Sequence, residues 1–128
     1  MMEITFPGGV AVNTEYNGFT TMTDQPEANG GANSAPSPFN LFLSSLGACA
    51  GFYALSFCQQ RDIDTTERRL NLDPTRNPET KRLDNIKIVI QLPAQFPEKY
   101  RKTIIRAVDQ CTVKKAILDP PTFSVEAV

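Results

Sequence analysis

The sequence predicts an α+β fold in which antiparallel sheets accompany one long central helix. Three observations predict this class: residues 1–23 alternate and turn as short strands do, residues 38–59 form one apolar helix-like run, and residues 66–92 alternate again. The chain has 128 residues, of which 41% are hydrophobic and 21% are charged. This length and composition predict a single domain over residues 1–128 with a core of its own.

Three short antiparallel strands are predicted in the N-terminal segment. They cover residues 3–6, 10–16 and 19–23, and the turn between the last two is Asn17-Gly18. Asn-Gly between two β-prone runs is the strongest short hairpin signal. Residues 24–36 are rich in Gly, Asn, Pro and Ala, and we expect a loop there.

A long helix is predicted from Pro38 to about Gln59, with Ser37 as its N-cap. Its faces are apolar nearly all round, so we expect it to be buried on every side. A chain this short lacks the material to enclose such a helix, which favours a second subunit. The run is also long enough for a membrane span. Its internal polar and glycine residues and the lack of any preceding basic residue favour a buried helix instead.

The second half of the chain predicts a hairpin, two helices and a last strand. The hairpin strands are expected at residues 66–73 and 82–92. The other predicted elements are a helix from Pro97 to about Gln110, a shorter helix over Thr112 to Leu118, and a strand over Phe123 to Val128 that closes a sheet.

Composition excludes several classes of function. The chain has no histidine, so it lacks the imidazole base of Ser-His-Asp and Cys-His hydrolases and the histidine ligands of many zinc sites. Its three cysteines have no CxxC spacing, and no phosphate-binding or dinucleotide-binding glycine motif occurs, so we expect neither a metal nor a cofactor. The net charge of −1 and the lack of a basic run argue against nucleic-acid binding.

Charge and cysteine usage suggest a location and a mode of association. The first residues, Met1-Met2-Glu3, lack the basic flank and apolar run of a signal peptide, so we expect none, and an odd number of cysteines predicts a reduced, cytoplasmic protein. Residues 1–60 hold four acids and no base, whereas residues 61–128 hold 13 bases and 10 acids. These halves are expected to attract each other, within one chain or between two.

Two cysteines are the candidate functional residues. Cys49 lies within residues 28–60, a stretch without a charged residue, where a thiol is usually a small buried hydrophobe. Cys111 precedes a helical segment with Lys114 and Lys115 one turn on. Free N–H groups and positive charge favour a thiolate at Cys111, and a plain capping or buried cysteine is the alternative. Cys58 lies on the opposite side of the helix from Cys49 and is assigned to the core.

The two cysteines stand in motifs that carry a resemblance. The first is Pro38-x-Asn40-Leu41-Phe42-Leu43-x-Ser45-Leu46-Gly47-Ala48-Cys49, and the second, 62 residues later, is Cys111-x-Val113-x-Lys115-x-Ile117-Leu118. Together they resemble the OsmC/Ohr family of osmotically inducible and organic hydroperoxide resistance proteins, over nearly the whole chain. The resemblance implies an intertwined homodimer in which antiparallel sheets from both chains wrap two long central helices.

The resemblance also implies a thiol-dependent peroxidase. Cys49 would attack a hydroperoxide, Cys111 would convert the resulting sulfenic acid to a disulfide, and an external dithiol would reduce it. The apolar surroundings of Cys49 suit an organic hydroperoxide. The family activates its first thiol with an arginine and a glutamate, but here no arginine precedes Arg61 and Phe39 occupies the glutamate position. Two alternatives therefore stay open: a thiol-exchange protein without peroxidase activity, and a non-catalytic dimer that binds a small apolar ligand.

Overall fold

The computed structural model describes residues 1–128 and has the predicted α+β class. The chain forms two compact units, residues 1–44 and residues 45–128. A single domain over residues 1–128 stays a prediction. The helices and strands are β1 (Glu3–Gly8), β2 (Ala11–Tyr16), β3 (Phe19–Thr23), α1 (Pro38–Gln59), β4 (Arg69–Arg76), β5 (Leu83–Gln91), α2 (Arg101–Val108) and α3 (Thr112–Leu118).

The first unit contains a three-stranded antiparallel sheet with the strand order β1-β2-β3. The predicted Asn-Gly turn is confirmed, because Tyr16 pairs with Phe19 and both turn residues have positive φ, 51° at Asn17 and 81° at Gly18. Such angles match the twist of the two strands, and asparagine and glycine adopt them most readily. The three strands predicted from the sequence are therefore present.

Asp24 organises the loop that follows the sheet. This residue is only 3% exposed, and its carboxylate accepts hydrogen bonds from the backbone N–H groups of Gln25, Ala32 and Ser34 and from the Ser34 hydroxyl. The Ser34 hydroxyl is the largest of the causes that lower the pKa of Asp24 to about 2. A buried carboxylate without such donors would be costly, so these bonds fix the loop that leads into α1.

The predicted start and end of α1 are confirmed. Ser37 caps the helix, since its Oγ accepts a hydrogen bond of 3.2 Å from the N–H of Asn40. One chain does not bury α1 on every side, because Phe52 is 62% exposed and Leu55 is 42% exposed. Burial of the remaining face by a second subunit stays a prediction. The other elements of the second unit cover one face only. By length and composition alone α1 could also span a membrane, which is weak evidence.

The second unit pairs β4 with β5 and packs helices on them. The strand β4 extends through Pro74, which pairs with Ile86, so the turn lies at residues 77–82 rather than beginning at residue 74 as predicted. Proline is tolerated there because β4 is an edge strand with no neighbour on its other side. The buried core of this unit consists of Ala50, Ala54, Phe57, Cys58, Phe96, Ile104 and Val108.

The C-terminal part of the chain differs from prediction in one element. A short 3₁₀ turn at Glu98–Tyr100 leads into α2, and α3 has the predicted bounds. The predicted strand over Phe123–Val128 is absent, and Phe123 and Val125 are 88% and 98% exposed. A strand forms only by hydrogen bonding to a neighbouring strand, and no strand of this chain pairs with that segment.

Candidate functional site

The second unit brings the two predicted site cysteines together. Cys49 lies in the middle of α1 and is half-buried, while Cys111 is the N-cap residue of α3 and is 2% exposed. Both are free thiols, and the Cys111 thiol lies within hydrogen-bonding reach of the Cys49 sulfur. Cys58 is also free and is 1% exposed within the core, as its helical position predicted.

The first residues of α3 surround the sulfur of Cys49 with hydrogen-bond donors. The backbone N–H of Val113 is the largest of the causes that lower the pKa of Cys49 from 9.0 to about 7. The Thr112 hydroxyl, whose Oγ1 lies 3.5 Å from the Cys49 Sγ, acts in the same direction, as do the Cys111 thiol and the Thr112 N–H. Partial burial opposes them. Donors aimed at a thiolate stabilise its charge, so this arrangement favours the ionised form of Cys49.

The environment of Cys111 has the opposite effect. Burial is the largest cause that raises the pKa of Cys111, and the neighbouring Cys49 raises it further. The Cys111 sulfur accepts a hydrogen bond of 3.4 Å from the N–H of Lys114 and so caps α3. Of the two interpretations of Cys111, the buried capping cysteine is therefore the one that the structure favours, and the thiolate is not.

The two lysines that supported a thiolate at Cys111 are engaged elsewhere. The Nζ of Lys114 forms an ion pair with Asp109, and the Nζ of Lys115 donates to the Oε1 of Gln110 at 2.8 Å. Both partners precede Cys111 in the chain. Positive charge within one turn of a thiol stabilises its thiolate only when the cation faces the sulfur, and here the cations face other acceptors.

The pair is therefore asymmetric in a way that suits thiol chemistry. Cys49 is half-exposed and readily ionised, which are the properties of an attacking thiol. Cys111 is buried beside it, and its raised pKa favours the neutral thiol. No group of three or more His, Cys, Asp or Glu side chains is placed to hold a metal ion.

An apolar cavity of about 610 Å³ lies beside Cys111. Isoleucines from β5, α2 and α3 form much of its wall, and its charged residues are Lys87, Arg101, Lys114 and the carboxylate that pairs with Lys114, Asp109. Cys111 lines the cavity and Cys49 does not, so a molecule bound there would lie next to the Cys111 thiol. The lining isoleucines are Ile86, Ile88, Ile90, Ile105 and Ile117.

Sequence reasoning missed Thr112 and Val113 as partners of Cys49. The available signal was that a helix begins directly after Cys111, so that free N–H groups stand next to the second cysteine. We assigned those groups to Cys111, the neighbour in sequence. In the structure they stabilise Cys49, the neighbour in space.

Comparison with known proteins relates the chain to OsmC-like proteins. The OsmC-like protein family matches residues 31–126. None of the curated proteins matches the chain. Several solved structures are similar in fold. One is a candidate osmotic stress induced and detoxification response protein from Psychrobacter arcticus, with 20% identity and a TM-score of 0.74, covering 90% of this chain and 85% of that chain.

Two further structures show the same fold. An OsmC-like protein from Mycoplasma pneumoniae has 16% identity and a TM-score of 0.71, covering 94% of this chain and 87% of that chain. An organic hydroperoxide resistance protein OsmC from Legionella pneumophila, also described as a predicted redox protein, has 15% identity and a TM-score of 0.55, covering 91% and 87%. Because the family match spans most of the sequence, including both cysteines, the chain belongs to the OsmC-like protein family.

Proposed function

We propose that this protein is a thiol-dependent redox protein of stress defence, and that it reduces organic hydroperoxides through Cys49 and Cys111. The observation that carries the proposal is the contact of the Cys49 sulfur with the first residues of α3, beside the thiol of Cys111. Family membership supports a redox role, since one structural relative is named as an organic hydroperoxide resistance and redox protein. The site is expected to work in the reducing cytoplasm, where both thiols are regenerated.

The proposed reaction has three steps. The Cys49 thiolate attacks the terminal oxygen of the hydroperoxide, the O–O bond breaks, and the alkoxide leaves as the alcohol after taking a proton. Cys49 is now a sulfenic acid. The Cys111 thiol attacks its sulfur, the hydroxyl leaves as water, and a disulfide forms. An external dithiol then gives two electrons to the disulfide and returns both thiols.

The proposed activation of Cys49 does not need the arginine and glutamate that the family uses. The N–H of Val113, the hydroxyl of Thr112 and the thiol of Cys111 all lower the pKa of Cys49. They are neutral donors, so they stabilise the thiolate through hydrogen bonds and not through a full charge. These neutral donors would replace the charged arginine and glutamate in activating Cys49. The chain has Phe39 where the glutamate would stand.

The cavity beside Cys111 supports an organic substrate. Its volume of about 610 Å³ exceeds what hydrogen peroxide needs, and its wall is largely aliphatic. Burying an alkyl or aryl group against such a wall is favourable in proportion to the apolar area removed from water. We therefore expect hydroperoxides with a bulky apolar group to react faster than hydrogen peroxide.

The proposed active form is a homodimer. Large apolar side chains are exposed on α1 and on β1–β3, which is unusual for a monomer of this size. The acidic first half and the basic second half of the chain would attract each other across an interface. A second chain would cover the open face of α1. The exposed apolar residues in question are Ile4, Phe6, Phe19, Met22, Phe52 and Leu55.

A single-turnover reaction of the reduced protein with cumene hydroperoxide tests the proposal, with thiols counted before and after. The wild type should lose two thiols per chain, and mass spectrometry should find a Cys49–Cys111 disulfide. Cys49→Ser should consume no peroxide, while Cys58→Ala, the matched control, should react like the wild type. Peroxide loss no faster than with free cysteine would refute the peroxidase. Disulfide formation with other oxidants alone would then favour a thiol-exchange protein.

A further inference from the structure

The helix α3 has little of its own to hold it together. It has seven residues and none of them is buried, and Leu118 at its end is 73% exposed. A helix this short does not persist alone in water, because its nucleation costs more than so few hydrogen bonds contribute. Its side chains reach back to the preceding residues only through exposed contacts, which contribute little. These contacts are Lys114 with Asp109 and Lys115 with Gln110.

The first turn of α3 is held by the two thiols of the candidate site. The N–H of Lys114 donates to the sulfur of Cys111 at 3.4 Å. The hydroxyl of Thr112 lies 3.5 Å from the sulfur of Cys49, and the N–H of Val113 is hydrogen-bonded to that same sulfur. The first N–H groups of a helix have no partner within the helix, so these two sulfurs supply the acceptors that the helix lacks.

Formation of a disulfide changes both acceptors at once. The two thiols lose two protons and two electrons to the oxidant, which is the hydroperoxide in the proposed function, and a bond joins Cys49 to Cys111. The sulfur of Cys49 can then no longer carry the negative charge that strengthens its hydrogen bonds with α3. An S–S bond of about 2 Å is also shorter than any hydrogen-bonding contact between two sulfurs, so the two residues must approach each other.

The two cysteines differ in their freedom to make this approach. Cys49 lies in the middle of the 22-residue helix α1, and its neighbours Leu46 and Ala50 are buried. Cys111 lies in the short connection between α2 and α3 and is followed by a helix without a buried residue. The movement therefore falls on Cys111, which carries its sulfur away from the N–H of Lys114.

We propose that formation of the Cys49–Cys111 disulfide unwinds α3 and opens the cavity beside Cys111 to the external dithiol. The helix supplies Lys114, Ile117 and Leu118 to the wall of that cavity. In the reduced protein Cys111 is 2% exposed, so a dithiol cannot reach its sulfur until this wall moves. The proposal rests on the disulfide of the proposed function and adds how that disulfide becomes accessible for reduction.

Amide hydrogen exchange followed by NMR tests this switch, on the reduced protein and on the protein oxidised with diamide. Diamide forms disulfides without peroxide, and mass spectrometry confirms the Cys49–Cys111 bond. Loss of an N-cap lowers the formation constant of a helix about fivefold, so exchange at Ala116 and Ile117 should accelerate about fivefold or more. Exchange in α2 should stay unchanged. Cys58→Ala, the matched control, should respond like the wild type, and Cys49→Ser should not respond to diamide.

The outcomes separate this switch from the proposed peroxidase. Unchanged exchange in α3 of a protein that contains the disulfide would overturn the switch and leave the peroxidase standing. So would an equal acceleration in Cys49→Ser, because the change would then not require the pair. Acceleration in the diamide-treated wild type alone supports the switch, even where cumene hydroperoxide is not consumed. Failure of diamide to form the disulfide would refute both proposals.

Discussion

The hydroxyl of Thr112 lies 3.5 Å from the sulfur of Cys49, although 63 positions separate the two residues in the chain. Thr112 is the first residue of α3, so its side chain and the N–H groups behind it face the middle of α1. The dipole of its own helix does not stabilise the thiolate of a mid-helix cysteine, because that effect is confined to the helix ends. The N–H groups at the start of α3 stabilise the Cys49 thiolate instead.

Replacing Thr112 should make Cys49 less acidic. In Thr112→Val the hydroxyl is lost while the side-chain shape is kept, so the pKa of Cys49 should rise above its value of about 7. Loss of one hydrogen bond of ordinary strength predicts alkylation by iodoacetamide between about twofold and tenfold slower at pH 7. Thr112→Ser keeps the hydroxyl and is the control. Equal pKa values for the Val and Ser variants, measured by thiolate absorbance at 240 nm, would contradict the role given to this hydroxyl.

The reactivity of Cys49 should depend on pH with a midpoint near neutrality. Because the thiolate reacts and the thiol does not, its alkylation rate should rise with pH, reach half its maximum at about 7 and level off above. Cys111, whose pKa is raised by burial, should react only at higher pH and more slowly. Site-resolved mass spectrometry after timed alkylation separates the two. A midpoint near 9 for Cys49 would mean that the donors of α3 do not act on it.

Local sequence signals were sufficient for most of the fold. Asn17-Gly18 predicted the hairpin, and Ser37-Pro38 predicted the start of α1, because each of these depends on backbone geometry within a few residues. The strand predicted over Phe123–Val128 is absent because strand formation depends on a partner strand that is distant in the sequence. Alternation shows that a segment is suited to a strand, but whether an edge is available is a property of the whole assembly.

The candidate site was predicted only in part, because part of it depends on contacts between residues that are distant in the sequence. The family resemblance singled out Cys49 and Cys111, and the structure places them together. The charge state of each thiol could not be predicted, because it depends on burial and on donors that are distant in sequence. Lys114 and Lys115 illustrate the difficulty, since both stand one turn from Cys111 and both contact other acceptors.

Removing the sulfur of Cys111 should destabilise the protein as well as block the disulfide. Its Sγ accepts the N–H of Lys114, and loss of an N-cap costs on the order of 1 kcal/mol in the free energy of unfolding. Cys111→Ala should therefore unfold at lower urea concentration than the wild type. Cys111→Ser, which keeps an acceptor at the same place, should recover most of the difference. If both variants unfold alike, the capping bond contributes nothing measurable and only burial of the residue matters.

The open face of α1 gives the test of the proposed homodimer. Phe52 and Leu55 are 62% and 42% exposed in one chain, and a charge placed between two such faces would have to be buried without a partner. Phe52→Lys should therefore convert the dimer to a monomer in sedimentation velocity at micromolar concentration, with helix content retained by circular dichroism. Gln59→Lys adds the same charge at the exposed end of the same helix and should stay dimeric. A monomeric wild type would refute the proposed dimer, and a dimeric Phe52→Lys would place the interface elsewhere than on this face of α1.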